Sequence, residues 1–331
     1  MDELWRNIQS VKKDFKRDME LIERELNLSI PSSTPAILYS ASKHLITGGK
    51  RIRPILLTLS FNAVNSKKSI EYALPIATAS ELIHTATIIH DDILDKSSRR
   101  RGVETVNVKW GDDIALITGD LIFSRAFGLV AAHEDKRVGE VISHACRRLA
   151  EGQVLENMHT RDIKMTEEVY LEVIERKTAA LFEACTKCGA ILGGGSEEEI
   201  EALSRYGYLI GIGFQMTDDI LDVNAGEVKL GKPIGMDVGL GKPTFVILHA
   251  LKAANNKDKK TLEEMLHGKK NSIEDVKKAL KIIRSTNSIE YASKRARWFI
   301  ASAKKELSVL KDTDSKKALE LIADYAASRE F

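Results

Sequence analysis

LPIATASELIHTATIIHDDILD, residues 74–95, is apolar on all sides of a helical projection until it ends in carboxylates. Such a helix belongs inside a large helical core. GIGFQMTDDILD, residues 211–222, repeats the arrangement. Upstream, Leu4, Ile8, Val11, Phe15, Met19, Ile22 and Leu26 recur at steps of three or four and predict one helix over residues 1–28. Residues 36–47, 54–64, 74–90, 112–132, 136–158, 166–192, 197–221, 244–255, 272–285, 288–309 and 315–329 read as further helices. Residues 193–196 form a glycine loop and 226–241 a glycine-rich irregular segment. No stretch alternates with the period of a strand, and no fixed repeat recurs. None of the 6 prolines falls between residues 76 and 232, and only 6% of residues are aromatic. Interior proline breaks helices, so its absence agrees with them. A length of 331 residues would allow two domains. The all-round apolar helices favour one: an all-α single large helical bundle over residues 1–331, with a deep central cavity and with 74–92 and 203–222 as central helices.

Lys plus Arg is 50 and Asp plus Glu is 48, a net charge of +2. That excludes a generally basic nucleic-acid binder, and no aromatic residues interleave a basic stripe. The start MDELWRNIQSVKKDFKRD has no apolar core and does not read as a signal peptide. Asp120 and Arg125 interrupt the most apolar stretch, so no membrane span is expected. The 3 cysteines do not suggest a disulfide framework. Cys185 and Cys188 form a CxxC inside a helical run and read as buried packing residues. The expected location is cytoplasmic.

The chemistry concentrates at the ends of the two apolar helices. Asp91, Asp92 and Asp95 stand at i, i+1 and i+4, as do Asp218, Asp219 and Asp222. Like charges at a helix C-terminus oppose the helix dipole. Two such clusters, each ending a core helix, call for cations between facing helices. Mg²⁺ takes carboxylate oxygens, water and substrate phosphate together. The basic complement is equally ordered. Lys50 and Arg53 lie near a helix start, Arg99, Arg100 and Arg101 follow the first cluster, and Lys232 and Lys242 flank the loop after the second. Arginine suits bidentate phosphate contacts and lysine point-charge contacts.

With GGKRIRP, ELIHTATIIHDDILD, RRG, EGQVLE, ERKTAALF, GIGFQMTDDILD and GKPIGMDVGLGKPT in this order over residues 44–244, the chain resembles the trans-isoprenyl diphosphate synthases, the polyprenyl synthetase family. The resemblance implies a bundle of the isoprenoid synthase type, a homodimer, and condensation of isopentenyl diphosphate with an allylic diphosphate. It implies that Asp91, Asp92, Asp95, Asp218, Asp219 and Asp222 hold about three Mg²⁺ ions. Arg100, Lys177, Thr178, Gln215, Lys232 and Lys242 match the allylic side, and Lys50, Arg53, His84 and Arg101 the isopentenyl diphosphate side. His90 stays open between ligand and packing, and Arg51 is given a structural or rim position. Glu156 stands where many relatives carry aspartate. A terpene cyclase or a non-catalytic synthase subunit is the alternative class, and both aspartate clusters being present argues against each.

In the family, an aromatic residue four or five places before the first aspartate acts as a floor that stops the growing chain. Here those places hold Thr87 and Ala86, both small. Ile83, Phe123 and Phe127 are the candidates for a deeper floor. The resulting expectation is an all-trans product longer than C20, with transient membrane proximity for such a product. Geranylgeranyl diphosphate, C20, is the runner-up.

Overall fold

The computed structural model describes residues 3–64, 67–100, 102–224, 235–268 and 272–328. In chain order the helices are α1 (Glu3–Val11), α2 (Phe15–Leu28), α3 (Ala36–Ile46), α4 (Ile52–Ala63), α5 (Leu74–Leu94), α6 (Val106–Trp110), α7 (Asp112–Ala132), α8 (Arg137–His159) and α9 (Glu167–Ile174). They continue as α10 (Ala180–Gly193), α11 (Glu197–Asn224), α12 (Met236–Leu240), α13 (Phe245–Ala253), α14 (Asn256–His267), α15 (Ile273–Ser285), α16 (Ser288–Glu306) and α17 (Asp314–Ser328). Strands β1 (Arg99–Arg100) and β2 (Val103–Glu104) form a small antiparallel hairpin. The protein is therefore all-α. Two compact units are distinguished, one of Met1–Cys146, Leu181–Gly207 and Glu306–Ile322, the other of Arg147–Ala180, Tyr208–Lys305 and Ala323–Phe331.

In the first unit α5 packs against α2, α3, α4, α6 and α7. Pro75 sits in its first turn, where a missing N–H costs nothing. The helix runs on through the first aspartates to Leu94, one turn beyond the expected end at His90. The expected single helix over residues 1–28 is instead two. Gln9 takes over the backbone at the break: its amide donates to the Lys13 carbonyl at 2.6 Å and accepts from the Lys16 N–H at 2.8 Å. The buried Lys12–Asp18 pair, at 2.6 Å, then fixes the turn between α1 and α2.

Helix α7 corrects one expectation. Its mean hydropathy of 1.7 makes it long and apolar enough to cross a membrane by length and composition, despite Asp120 and Arg125. One face, with Ala115, Gly119, Ile122 and Ala126, is buried, and the helix packs on α5. Contact is close because residue 119 is glycine: a Cβ there would lie 2.1 Å from the His90 ring.

The second unit is built on an apolar cluster that includes Val173, Ile212, Met216, Ile220, Phe245 and Ile283. Helix α15 opens with a capping box of Ser272 and Asp275. Helix α14 has no counterpart in the sequence reading, because only Leu262, Met265 and Leu266 of it are buried and its stripe is short. Between α9 and α10 the chain makes one π-helical turn, Glu175–Ala179. A π turn inserts one residue into a helix and often marks a functional position.

Candidate active site

In the first unit, Asp91 and Asp92 lie in the last turn of α5 and Asp95 is its C-cap. Asp91 and Asp95 are half-buried. Asp92 is buried and paired with Arg100, whose Nε donates to both carboxylate oxygens at 2.8 and 3.1 Å while Nη2 stands 2.7 Å away. Arg100 is delivered by the β1–β2 hairpin. Arg101 lies outside the described residues. Lys50 is exposed, whereas Arg53 is half-buried with its guanidinium 4.8 Å from the centre of the Phe182 ring. His84, also half-buried, stands two turns before Asp91 on the same face.

Residues 83, 86 and 90 form a different stripe of α5 from residues 84, 87 and 91. His90 belongs to the contact with α7: its Nε2 is 3.2 Å from the Leu116 carbonyl, and its ring lies 5.9 Å from that of Phe123. Phe123 in turn stacks on Phe127 at 6.0 Å. Ile83 and Ala86, on the His90 stripe, have no exposed surface, while Thr87, on the Asp91 stripe, retains some. Of the proposed floor residues, Ile83 and Ala86 are fully packed, Thr87 and Phe123 are half-buried and Phe127 is exposed.

The second unit carries the rest. Gln215, Asp218, Asp219 and Asp222 occupy the last turns of α11. The π turn holds Thr178 so that its hydroxyl donates to Gln215 Oε1 at 2.8 Å. Gln215 Nε2 donates to Asp219 at 2.8 Å, and the Tyr170 hydroxyl donates to the other Asp219 oxygen at 2.6 Å. This chain fixes the Gln215 amide and the Asp219 carboxylate together. Asp222 caps α12 by accepting the Met236 and Asp237 N–H groups at 3.1 and 3.0 Å. Asp218 is half-buried. Lys177 and Lys242 both donate to Glu156 Oε2, the latter at 3.3 Å. Lys232 lies outside the described residues. Gly152 of α8 lets the π turn approach: a Cβ there would lie 2.4 Å from the Lys177 backbone nitrogen.

The electrostatics of these groups are uneven. Burial pushes the Asp219 carboxyl up to about 7, against its hydrogen bonds from Tyr170 and Gln215 and with added repulsion from Asp218 and Asp222. Burial, then Asp222 and Asp219, pushes Asp237 well above the carboxylate range. A cluster driven toward neutrality in this way is what a bound cation would restore to full charge. Among the described residues no three His, Cys, Asp or Glu form a ready-made cage.

Burial alone would raise Glu156, but Lys177 and Lys242 outweigh it and hold the carboxyl below its ordinary 4.5. A depressed folded-state pKa stabilises above the unfolded value and loses that contribution as pH falls through the folded one. Glu156→Gln is therefore expected to lower stability by about 1–3 kcal/mol near pH 7. In urea melts the difference from the parent should be full above the ordinary glutamate value of 4.5 and shrink as pH falls from there through the lowered folded-state value.

Sequence reasoning missed Tyr170 and Asp237, which touch the predicted residues only through the fold. Asp237 had a local signal, its glycine-flanked place in GMDVG; Tyr170 had none. The cysteines agree with the packing reading: Cys185 and Cys188 are fully buried, and burial pushes the Cys185 thiol up to about 12.

The model of the family described as polyprenyl synthetase matches residues 35–283. The chain is 42% identical to a short chain isoprenyl diphosphate synthase of Methanothermobacter thermautotrophicus, over 96% of this chain and 98% of that one. It is 38% identical to a geranylgeranyl diphosphate synthase of Methanosarcina mazei, over 98% and 99%. Among solved structures, polyprenyl synthase from Caulobacter crescentus CB15, complexed with calcium and isoprenyl diphosphate, superposes with a TM-score of 0.93 at 32% identity, each chain being 98% covered.

Proposed function

Because this chain belongs to the polyprenyl synthetase family, with the all-α fold of the isoprenoid synthases and prenyltransferase chemistry, we propose that it extends an allylic diphosphate to the C20 product geranylgeranyl diphosphate. The head-to-tail condensation is the family's reaction. The finer assignment rests chiefly on one observation, the 42% and 38% identity to a short-chain and a geranylgeranyl synthase over nearly whole chains. It replaces the expectation of a product longer than C20. Small residues at 86 and 87 had suggested a deeper channel, but Ala86 is fully packed and so offers no room of its own.

In the reaction the allylic C1–O bond breaks and diphosphate leaves. The C3–C4 double bond of isopentenyl diphosphate attacks C1 through C4, and a proton is lost from C2. Asp91, Asp92, Asp95, Asp218, Asp219 and Asp222 are assigned to about three Mg²⁺ ions. Bound Mg²⁺ supplies Lewis-acid stabilisation of the leaving diphosphate. Arg100, Lys177, Lys232 and Lys242 add positive charge on that side, where hydrogen bonds in a dry site are worth most. Asp92 pairs with Arg100, and the single Glu156 carboxylate accepts from both Lys177 and Lys242, which holds these three cations in place. Thr178 and Gln215 present oxygen dipoles to the developing allylic cation. Lys50, Arg53, His84 and Arg101 hold isopentenyl diphosphate. The departing diphosphate can take the C2 proton, so no side-chain base is required.

The test is stoichiometric. With Mg²⁺, isopentenyl diphosphate and farnesyl diphosphate, one diphosphate should appear per isopentenyl unit consumed, and none with either substrate alone or with chelator. Release of diphosphate from farnesyl diphosphate alone would indicate a cyclase or hydrolase instead.

A homodimer is part of this reading, supported by the face of α7 turned away from α5. Leu116, Ile117 and Phe127 there are 52%, 48% and 42% exposed, an apolar patch that suits a second copy. Leu116→Glu should shift sedimentation from dimer to monomer at micromolar concentration.

A further inference from the structure

Within GGKRIRP, residues 48–54, Arg51 has a different fate from its neighbours. It is 2% exposed, although Lys50 is exposed and Arg53 half-buried. Its backbone is left-handed, with φ of 52°, which a non-glycine residue holds only where its surroundings enforce it. The enforcement is visible. Nε and Nη2 donate to the two Glu23 oxygens at 2.7 and 3.2 Å, Nη1 donates to Glu81 at 3.1 Å, and Nη2 also donates to the Ile46 carbonyl. One side chain thus ties together α2, the end of α3 and α5. Glu81 lies one helical turn before His84, and Arg51 lies between Lys50 and Arg53.

We propose that Arg51, clamped by Glu23 and Glu81, is a positioning residue that sets the placement of Lys50, Arg53 and His84 and thereby the affinity for isopentenyl diphosphate. This rests on the reading that those three groups bind that substrate. The guanidinium is a rigid planar fork, and a fork held by two carboxylates fixes direction as well as distance. Without it, the left-handed turn relaxes and the two basic groups lose their register with His84.

Glu23 provides the clean handle, because its side chain is 41% exposed and its loss need not unfold the protein. Glu20 provides the control. It lines the same cleft, of about 710 Å³, as Glu23 and Lys50, whereas the carboxylates that accept from Arg51 are those of Glu23 and Glu81. In steady-state kinetics on the full chain, Glu23→Gln should raise KM for isopentenyl diphosphate about fivefold to tenfold, since small displacements of binding groups are costly. Its kcat and its KM for the allylic primer should stay within about twofold of the parent. Glu81→Gln should act in the same direction, and Arg51→Lys should fail to rescue, because charge without the fork does not fix geometry. Glu20→Gln should change neither KM. A purely structural role would lower Tm and the active fraction and leave KM alone. An unchanged KM for isopentenyl diphosphate in folded Glu23→Gln, or an equal rise in Glu20→Gln, overturns the proposal. If the parent protein does not extend a primer at all, the functional reading falls first and the proposal falls with it.

Discussion

Asp91→Asn should lose at least about 10²–10³-fold in kcat while the protein remains fully folded. Asp91 sits in the last turn of α5, where the helix dipole already disfavours negative charge, and beside Asp92 and Asp95. Removing one of three adjacent carboxylates also removes like-charge repulsion at the helix end, so Tm should change little beside the loss of kcat. Activity and stability moving apart is the signature of a carboxylate kept for ligation. A core residue would lose both together. Asp92 makes a poorer test, because its removal also strands the Arg100 guanidinium. The measurement is kcat at saturating substrates with a Mg²⁺ titration, alongside thermal melts.

Thr87→Phe should switch the main product from C20 to C15, whereas Ala86→Phe should chiefly destabilise. The two residues are adjacent, yet they lie on different stripes of α5. Thr87 shares its stripe with His84 and Asp91 and keeps accessible surface. A phenyl ring there projects beside the aspartates and shortens the space for a growing chain. Ala86 shares its stripe with Ile83 and His90 and has no exposed surface. A ring placed there must displace packed neighbours, at about 1–3 kcal/mol or more. Phe123, its ring 5.9 Å from that of His90, already occupies the adjoining surface of α7. Chromatography of dephosphorylated products, with melts of both variants, separates the outcomes. Product shortening by Ala86→Phe alone would reverse the assignment.

Much of the candidate site was legible in the sequence because its signals are local. The carboxylate spacing in DDILD and the all-round apolarity of residues 74–90 lie within a few helical turns. The matching motifs carried the remaining assignments. What was not legible depends on distant contacts. Tyr170 reaches Asp219 across 49 positions, and Arg51 reaches Glu23 and Glu81 across 28 and 30. The π turn at residues 175–179 leaves the apolar periodicity almost intact, so residues 166–192 read as one unbroken helix. The break between α1 and α2 was hidden for a similar reason: Val11 and Phe15 keep the four-residue step across it, and a glutamine side chain makes the substitution of hydrogen bonds. Asp222 reads in the sequence only as a third ligand; that it also caps α12 depends on a segment 14 residues away.

The purified protein with Mg²⁺, farnesyl diphosphate and excess labelled isopentenyl diphosphate provides the most direct test of the central claim, once the products are dephosphorylated and resolved by chain length. The account predicts geranylgeraniol as the main all-trans alcohol, formed only with Mg²⁺. Absence of any extended alcohol would contradict the prenyltransferase assignment, and a ladder running to longer alcohols would contradict the C20 stop.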